Sequence, residues 1–195
     1  MLKVSGAFAT NLFAVELSGA VAKETDAAFI SEITNGVSTI ASAGTTAAAI
    51  LTDIGNALGA LTLNAQSRVY LAVDLGTAKL WALTLNASGN FRALTINGGN
   101  LMGCTVVPTD ALTNTLVAFD ASQLAANGGT IELDASNQAA IQMDSQPDSP
   151  PTASTPATSF WQNNLTGMRA TRYFGVERLG SAAVSKVTGV ADSPA

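Results

Sequence analysis

The chain has 195 residues and no histidine. That removes the commonest general base and the commonest metal ligand, and with them any Ser-His-Asp triad within one chain. Cys104 is the single cysteine, so an internal disulfide and a cysteine-based zinc site are both excluded. It sits in the apolar run Cys104-Thr105-Val106-Val107, the setting of a buried structural thiol rather than a nucleophile. Charge is scarce. Asp, Glu, Lys and Arg make up 12% of the residues, about half the usual share. The net charge of −5 argues against nucleic acid as a partner for the whole surface. Long apolar runs are also missing: residues 37–51 are interrupted by Ser, Thr and Gly and fall short of the roughly 20 apolar residues a bilayer span requires. The short mixed segment after Lys3 has no apolar core of the secretory type. A soluble protein with no membrane partner is expected.

What remains for chemistry is thin. Gly98-Gly99-Asn100-Leu101-Met102-Gly103 is glycine-rich, but no Lys-Ser/Thr follows and no helix opens there, so it reads as a turn and not a phosphate loop. Glu132 and Asp134, two apart on a strand, point to one face as paired carboxylates do; a solvated strand face has the same pattern. Asp144 and Asp148 match no calcium-loop spacing. None of the four lysines sits in a Ser-x-x-Lys setting. No catalytic residue, cofactor or metal site is expected.

The positive feature is the stretch 130–144. Ile131, Leu133, Ala135, Ala139, Ile141 and Met143 alternate with Glu132, Asp134, Ser136, Gln138, Gln142 and Asp144, and Asn137 is the one polar residue in the apolar set. A period of two describes a strand with one buried and one wet face. Fifteen residues at about 3.3 Å each would reach roughly 50 Å, far more than a typical strand. A strand of that length has edges that seek partners, which points to contact with other chains; a long edge strand of a monomer is the alternative.

Along the chain, 15–35 reads as a helix with a stripe of Leu17, Val21, Ile30 and Ile33, stopped by Asn35-Gly36. Residues 37–46 read as a connector. A second helix is expected over 47–61, a strand over 68–73, a short helix over 77–85, strands over 104–107 and 116–119, and turns at 98–100 and 127–129. Four of the six prolines lie between 147 and 156, a stiff solvated loop. A fourth helix is expected over 160–173, with Trp161, Leu165 and Met168 on one face, and a last strand over 182–190. Helices and strands mix without regular alternation, which indicates an α+β fold. Arg169, Arg172 and Arg178 cluster beside Glu177. They read either as a basic helix end or as intersubunit partners for acids such as Glu16, Glu24, Asp26 and Glu32, since the guanidinium fork pairs with carboxylates in bidentate fashion.

Several blocks in order resemble the major capsid proteins of tailed bacteriophages, which have the Hong Kong ninety-seven type capsid fold. They are residues 50–63, Arg68-Val69-Tyr70-Leu71 and the 77–85 helix; Asn97-Gly98-Gly99 with Gly103-Cys104-Thr105-Val106-Val107-Pro108-Thr109; Gln142-Met143-Asp144; and Ser159-Phe160-Trp161-Gln162-Asn163-Asn164-Leu165-Thr166 followed by Met168-Arg169-Ala170, Arg172, Val176, Arg178 and Ala182-Ala183-Val184. No single block is specific; their order is.

The resemblance implies a structural subunit that assembles with itself into hexamers and pentamers, in the virion and, before assembly, in the host cytoplasm. Portal and scaffold proteins are further implied partners, with packaged DNA only indirect. It implies a peripheral domain over 1–46 and 129–172 and an axial domain over 47–128 and 173–195. Arg169, Arg172, Arg178, Glu24, Glu132 and Asp134 become the expected subunit interface. Two departures stand out. The N-terminal arm and extended loop that precede the spine helix in the family have no counterpart, which suggests a truncated or processed form. In members that crosslink, an asparagine in the last helix receives a loop lysine with help from a glutamate seven residues on. Asn163 matches the asparagine, but the seventh residue on is Ala170, so no isopeptide bond is expected. An encapsulin-like shell, distinguished by a cargo enzyme, and a surface binding module are the alternative readings.

Overall fold

The structure is a computed structural model that describes residues 6–87 and 94–190, with side chains from residue 11 onward. Its chain divides into two compact units, Met1–Ala22 with Gly129–Tyr173 and Lys23–Gly128 with Phe174–Ala195.

The larger unit is built on a seven-stranded sheet. Helix α1 (Gly6–Thr34) is longer than its sequence stripe and ends where expected, at Asn35 and Gly36, whose φ of +70° suits glycine. Residues 37–46 are not a plain connector: they contain strand β1 (Thr39–Ala41). Helix α2 (Ala47–Gly59) starts at Thr46, whose hydroxyl accepts from the Ala49 N–H at 3.2 Å, and it buries Ile50, Asp53, Ile54 and Ala57 at helical spacing. Strand β2 (Val69–Val73) leads through Asp74 into α3 (Leu75–Ala87). The Asp74 carboxylate accepts from the N–H and hydroxyl of Thr77, capping the helix. Next come β3 (Leu94–Thr95), β4 (Gly98–Leu101), β5 (Cys104–Pro108), β6 (Thr115–Asp120), a 3-10 turn (Ala121–Gln123) and β7 (Leu124–Gly128).

Two turn expectations are corrected here. Residues 98–100 belong to β4, and the turns lie at Ile96-Asn97 and Met102-Gly103. The glycines are there because β5 runs very close: a Cβ on Gly98 would stand 2.3 Å from the Val106 carbonyl oxygen, and φ is +92°. Gly98→Ala should therefore cost on the order of 3 kcal/mol, read as a lowered denaturant midpoint with the slope unchanged. Residues 127 and 128 continue β7, because that strand is paired with β12 (Phe174–Arg178).

The sheet order is β1-β13-β6-β2-β5-β4-β3, with β13 spanning Val184–Thr188. β1/β13 and β2/β5 are parallel pairs and the other pairs are antiparallel. Both faces are covered, so β6 is an apolar run rather than an alternation. Leu71, Val73, Leu116 and Ala118 face Ile50, Ile54, Trp81 and Leu85 of α2 and α3. Ala72, Val117 and Val184 meet Ile30 and Ile33 of α1 on the other side. Residues 23–46, implied above to share a domain with 129–172, group here with the sheet.

The smaller unit, the ribbon unit, carries β8 (Glu132–Ser136), β9 (Ala140–Ile141), β10 (Thr158–Ser159) and β11 (Gly167–Thr171). β8 pairs with β11 and β9 with β10, both antiparallel. The 15-residue strand is therefore not continuous. It breaks at 137–139, where the Ser136 hydroxyl accepts from the Gln138 N–H at 3.2 Å, a local bond that competes with the ladder. Its apolar set is not buried either: Leu133 and Ile141 are each 44% exposed and Met143 is 68% exposed.

The helix expected over 160–173 is also absent. Residues 160–164 form a turn with Asn164 at φ +51°, and the Leu165 N–H donates to the Phe160 carbonyl at 2.9 Å. Gly167, a weak helix residue, then opens β11. Pairing with a strand about thirty-five residues away overrides a local 3.6-residue stripe that was itself interrupted by Asn-Asn and Thr-Gly.

Candidate functional site

The buried polar groups of the sheet unit are committed to structure. Asp53 accepts from the Ser42 hydroxyl at 2.5 Å and the Ala43 N–H at 2.7 Å, fixing the exit of β1 to α2. Asp120, fully buried, accepts from Ser67, from the Arg68 N–H, from the N–H and hydroxyl of Ser122 and from Gln123. Burial alone would raise its pKa, but these donors outweigh it and hold the carboxyl well below the usual carboxylate range. Burial pushes the Cys104 thiol up, away from nucleophile chemistry. Among the described residues no group of three or more His, Cys, Asp or Glu could hold a metal, and no described helix is long and apolar enough to cross a membrane. A cleft of about 330 Å³ is lined by Lys23, Asp26, Leu75, Thr109 and Asp110.

The arginine cluster is not a helix end. Arg169 lies on β11 directly opposite Asp134 of β8, and the two form a 2.8 Å ion pair with side chains 75% and 59% exposed. The Asp134 hydrogen bond is the main cause that shifts the Arg169 pKa up. Arg172 donates from Nε to the Gly129 carbonyl at 3.0 Å. Arg178, in the sheet unit, donates to the Asn35 carbonyl at 2.6 Å, a cation at the C-terminal end of α1 where the helix dipole favours it. Glu132 and Glu24 are exposed. Asn163 lies in the 160–164 turn, not on a helix, and its Nδ2 donates to the Ser159 carbonyl at 2.8 Å. Ala170, seven residues on, pairs with Leu133 in the β8–β11 ladder.

The ribbon unit's main feature is what it leaves uncovered. Phe160 is its one buried side chain among the described residues, while Leu12, Phe13, Val15, Leu133, Ile141, Met143, Trp161, Leu165 and Tyr173 are all exposed. The Phe160 ring rests on Gly167, where a Cβ would lie 2.1 Å from Cε2. It separates two clefts. One, of about 500 Å³, runs along Ile141, Phe160 and Met168 with the Asp134–Arg169 pair on its rim. The other, of about 210 Å³, lies between Asn137, Trp161 and Leu165. The sequence signal for this surface was the alternation of 130–144, but alternation implies a covered face and says nothing about which chain covers it.

No family model matches the chain. The capsid polyprotein of Pseudomonas phage PAJU2 is 36% identical over 169 residues, covering 81% of this chain. The chain resembles the capsid proteins of tailed phages. It spans 25% of the length of that curated relative. A solved chain from Mycobacterium phage Che8 superposes with a TM-score of 0.57 at 19% identity over 90% of this chain and 61% of that one, so the two share a fold. The SrpI encapsulin complex of Synechococcus elongatus PCC 7942 is more distant, with a TM-score of 0.46 at 8% identity over 80% of this chain and 55% of that one. The α+β capsid fold anticipated from the order of blocks is thus the one observed, although two of the elements used to anticipate it are of another type.

Proposed function

We propose that the chain is a structural shell subunit of a tailed phage or prophage, assembling with itself into hexamers and pentamers and carrying no catalysis of its own. The observation that carries this reading is the ribbon unit: one buried side chain against nine large exposed apolar ones. Apolar surface left in water at about 25 cal/mol per Å² is expensive, and patches of this kind mark interaction surfaces. The likeness to a capsid polyprotein supports other copies of the chain as the partner. On this reading the ribbon unit takes the peripheral position and the sheet unit the axial one. Portal and scaffold proteins are further partners, and the shell in the virion is its location. The acidic balance fits a wall that meets DNA without binding it tightly.

Light scattering with electron microscopy of the purified chain tests this. Rings or shells with masses at multiples of six or five times 19.7 kDa are expected, and a monomer at every concentration would overturn the reading. The interface set of Arg169, Arg172, Arg178, Glu24, Glu132 and Asp134 is retained as part of the proposal. Arg172→Ala should reduce the assembled fraction more than it reduces amide protection on β8 and β11 of the dissociated chain. Equal losses in both would remove Arg172 from the interface.

A further inference from the structure

We infer that the N-terminal half of α1 in one copy docks, as a ridge, into the cleft beside Phe160 of a neighbouring copy. The inference rests on the shell-subunit reading and assigns two surfaces of the ribbon unit to each other. Leu12, Phe13, Glu16, Gly19 and Ala20 are all exposed and share one helix face by their spacing. The opposite positions, Ala14, Leu17, Ser18 and Val21, are half-buried, so this helix already has an inner side and the ridge is its outer one. Leu12 and Phe13 are 51% and 59% exposed. The open space over Gly19 lets a neighbour approach the helix closely.

The cleft has the matching character. Its apolar wall of Ile141, Phe160 and Met168 and its volume of about 500 Å³ suit large apolar side chains. Phe160 is held in place against Gly167, so the wall is preformed. The Arg169 guanidinium stands on the rim with only one of its nitrogens bonded to Asp134, leaving further N–H groups of its fork for a second carboxylate. Glu16 is the carboxylate the ridge carries next to Leu12 and Phe13. Helix ridge into apolar groove, with a rim ion pair setting the register, is a general recognition mode.

Both surfaces remain exposed in the single chain, so the contact is between copies. Because ridge and cleft are different patches, a bound pair leaves one ridge and one cleft free for further copies. Heterologous contacts of this kind form rings when the rotation from copy to copy closes.

The test is crosslinking in assembled particles, in a Cys104→Ser background carrying Leu12→Cys and Met168→Cys. A short bismaleimide should give a ladder of two, three and more chains, with Met168→Cys alone giving none. Adducts confined to the mass of one chain would overturn the inference. So would equal dimer formation by Leu12→Cys alone, which would mean ridge-to-ridge packing, or assembled particles with no adduct at all. A parent chain that forms no particles would overturn this inference and the shell reading together. In the otherwise native chain, Glu16→Arg and Arg169→Glu should each lower the assembled fraction by roughly fivefold or more, and the two together should restore it. No recovery in the double variant, with amide protection on β8 and β11 of the dissociated chains matched to the parent, would likewise overturn the pairing.

Discussion

Asp120→Ala is expected to cost on the order of 3 kcal/mol or more, a large part of the stability of a domain this size. The carboxylate takes five hydrogen bonds from Ser67, Arg68, Ser122 and Gln123, and it joins the end of β6 to the loop before β2. Removing it leaves buried donors without an acceptor, which costs more than a single exposed bond lost to water. Asp120→Asn keeps the shape but turns an amide donor toward other donors, so a smaller loss is expected.

The same group sets an acid limit. Its folded pKa is depressed, so its contribution is fully present above the unfolded value, about 3.9, and is lost as pH falls below that toward the folded value. The denaturant midpoint of the parent should fall steeply below about pH 4, and Asp120→Asn should flatten that slope. Parallel acid profiles for the two proteins would show that Asp120 is not the group responsible.

Gly167→Ala should act on the other unit. The added methyl would need the place of Cε2 of Phe160, and overpacking of this kind costs about 1–3 kcal/mol. The ring is the one buried side chain of the ribbon unit, so it has little else to rearrange around. Amide exchange on β8 and β11 should accelerate by roughly tenfold to a hundredfold, while the β2, β5 and β6 amides keep the parent's protection. Assembly should fall with the ribbon. Unchanged exchange on β8 would mean that Phe160 does not hold the cleft wall, and the docking site would lose its preformed side.

The sheet unit was largely legible because its determinants are local. Ile50, Leu51, Ile54, Leu58 and Leu61 mark α2 by spacing alone; Val69–Val73 and Thr115–Asp120 are too apolar to be anything but buried elements; and Asn35-Gly36 can end a helix without reference to the rest of the chain. The ribbon unit was not legible because its determinants are distant. Trp161, Leu165 and Met168 have helical spacing, yet Met168 pairs with Ala135, and no pattern within 160–173 reveals that partner. Glu132 and Asp134 were placed on one strand face, and the structure has both on β8, but finding Arg169 opposite Asp134 required the register of the ladder. Gly98-Gly99 read as a turn because glycine permits turns; here it permits β5 to come close.

The uncovered ribbon has a consequence for measurement. A two-stranded ladder with a single buried side chain is marginal on its own, so much of its order in an assembling chain comes from association and follows mass action. The ribbon's melting temperature should rise with protein concentration while that of the sheet unit stays fixed. A single melting temperature taken on dilute protein would then report the sheet unit alone.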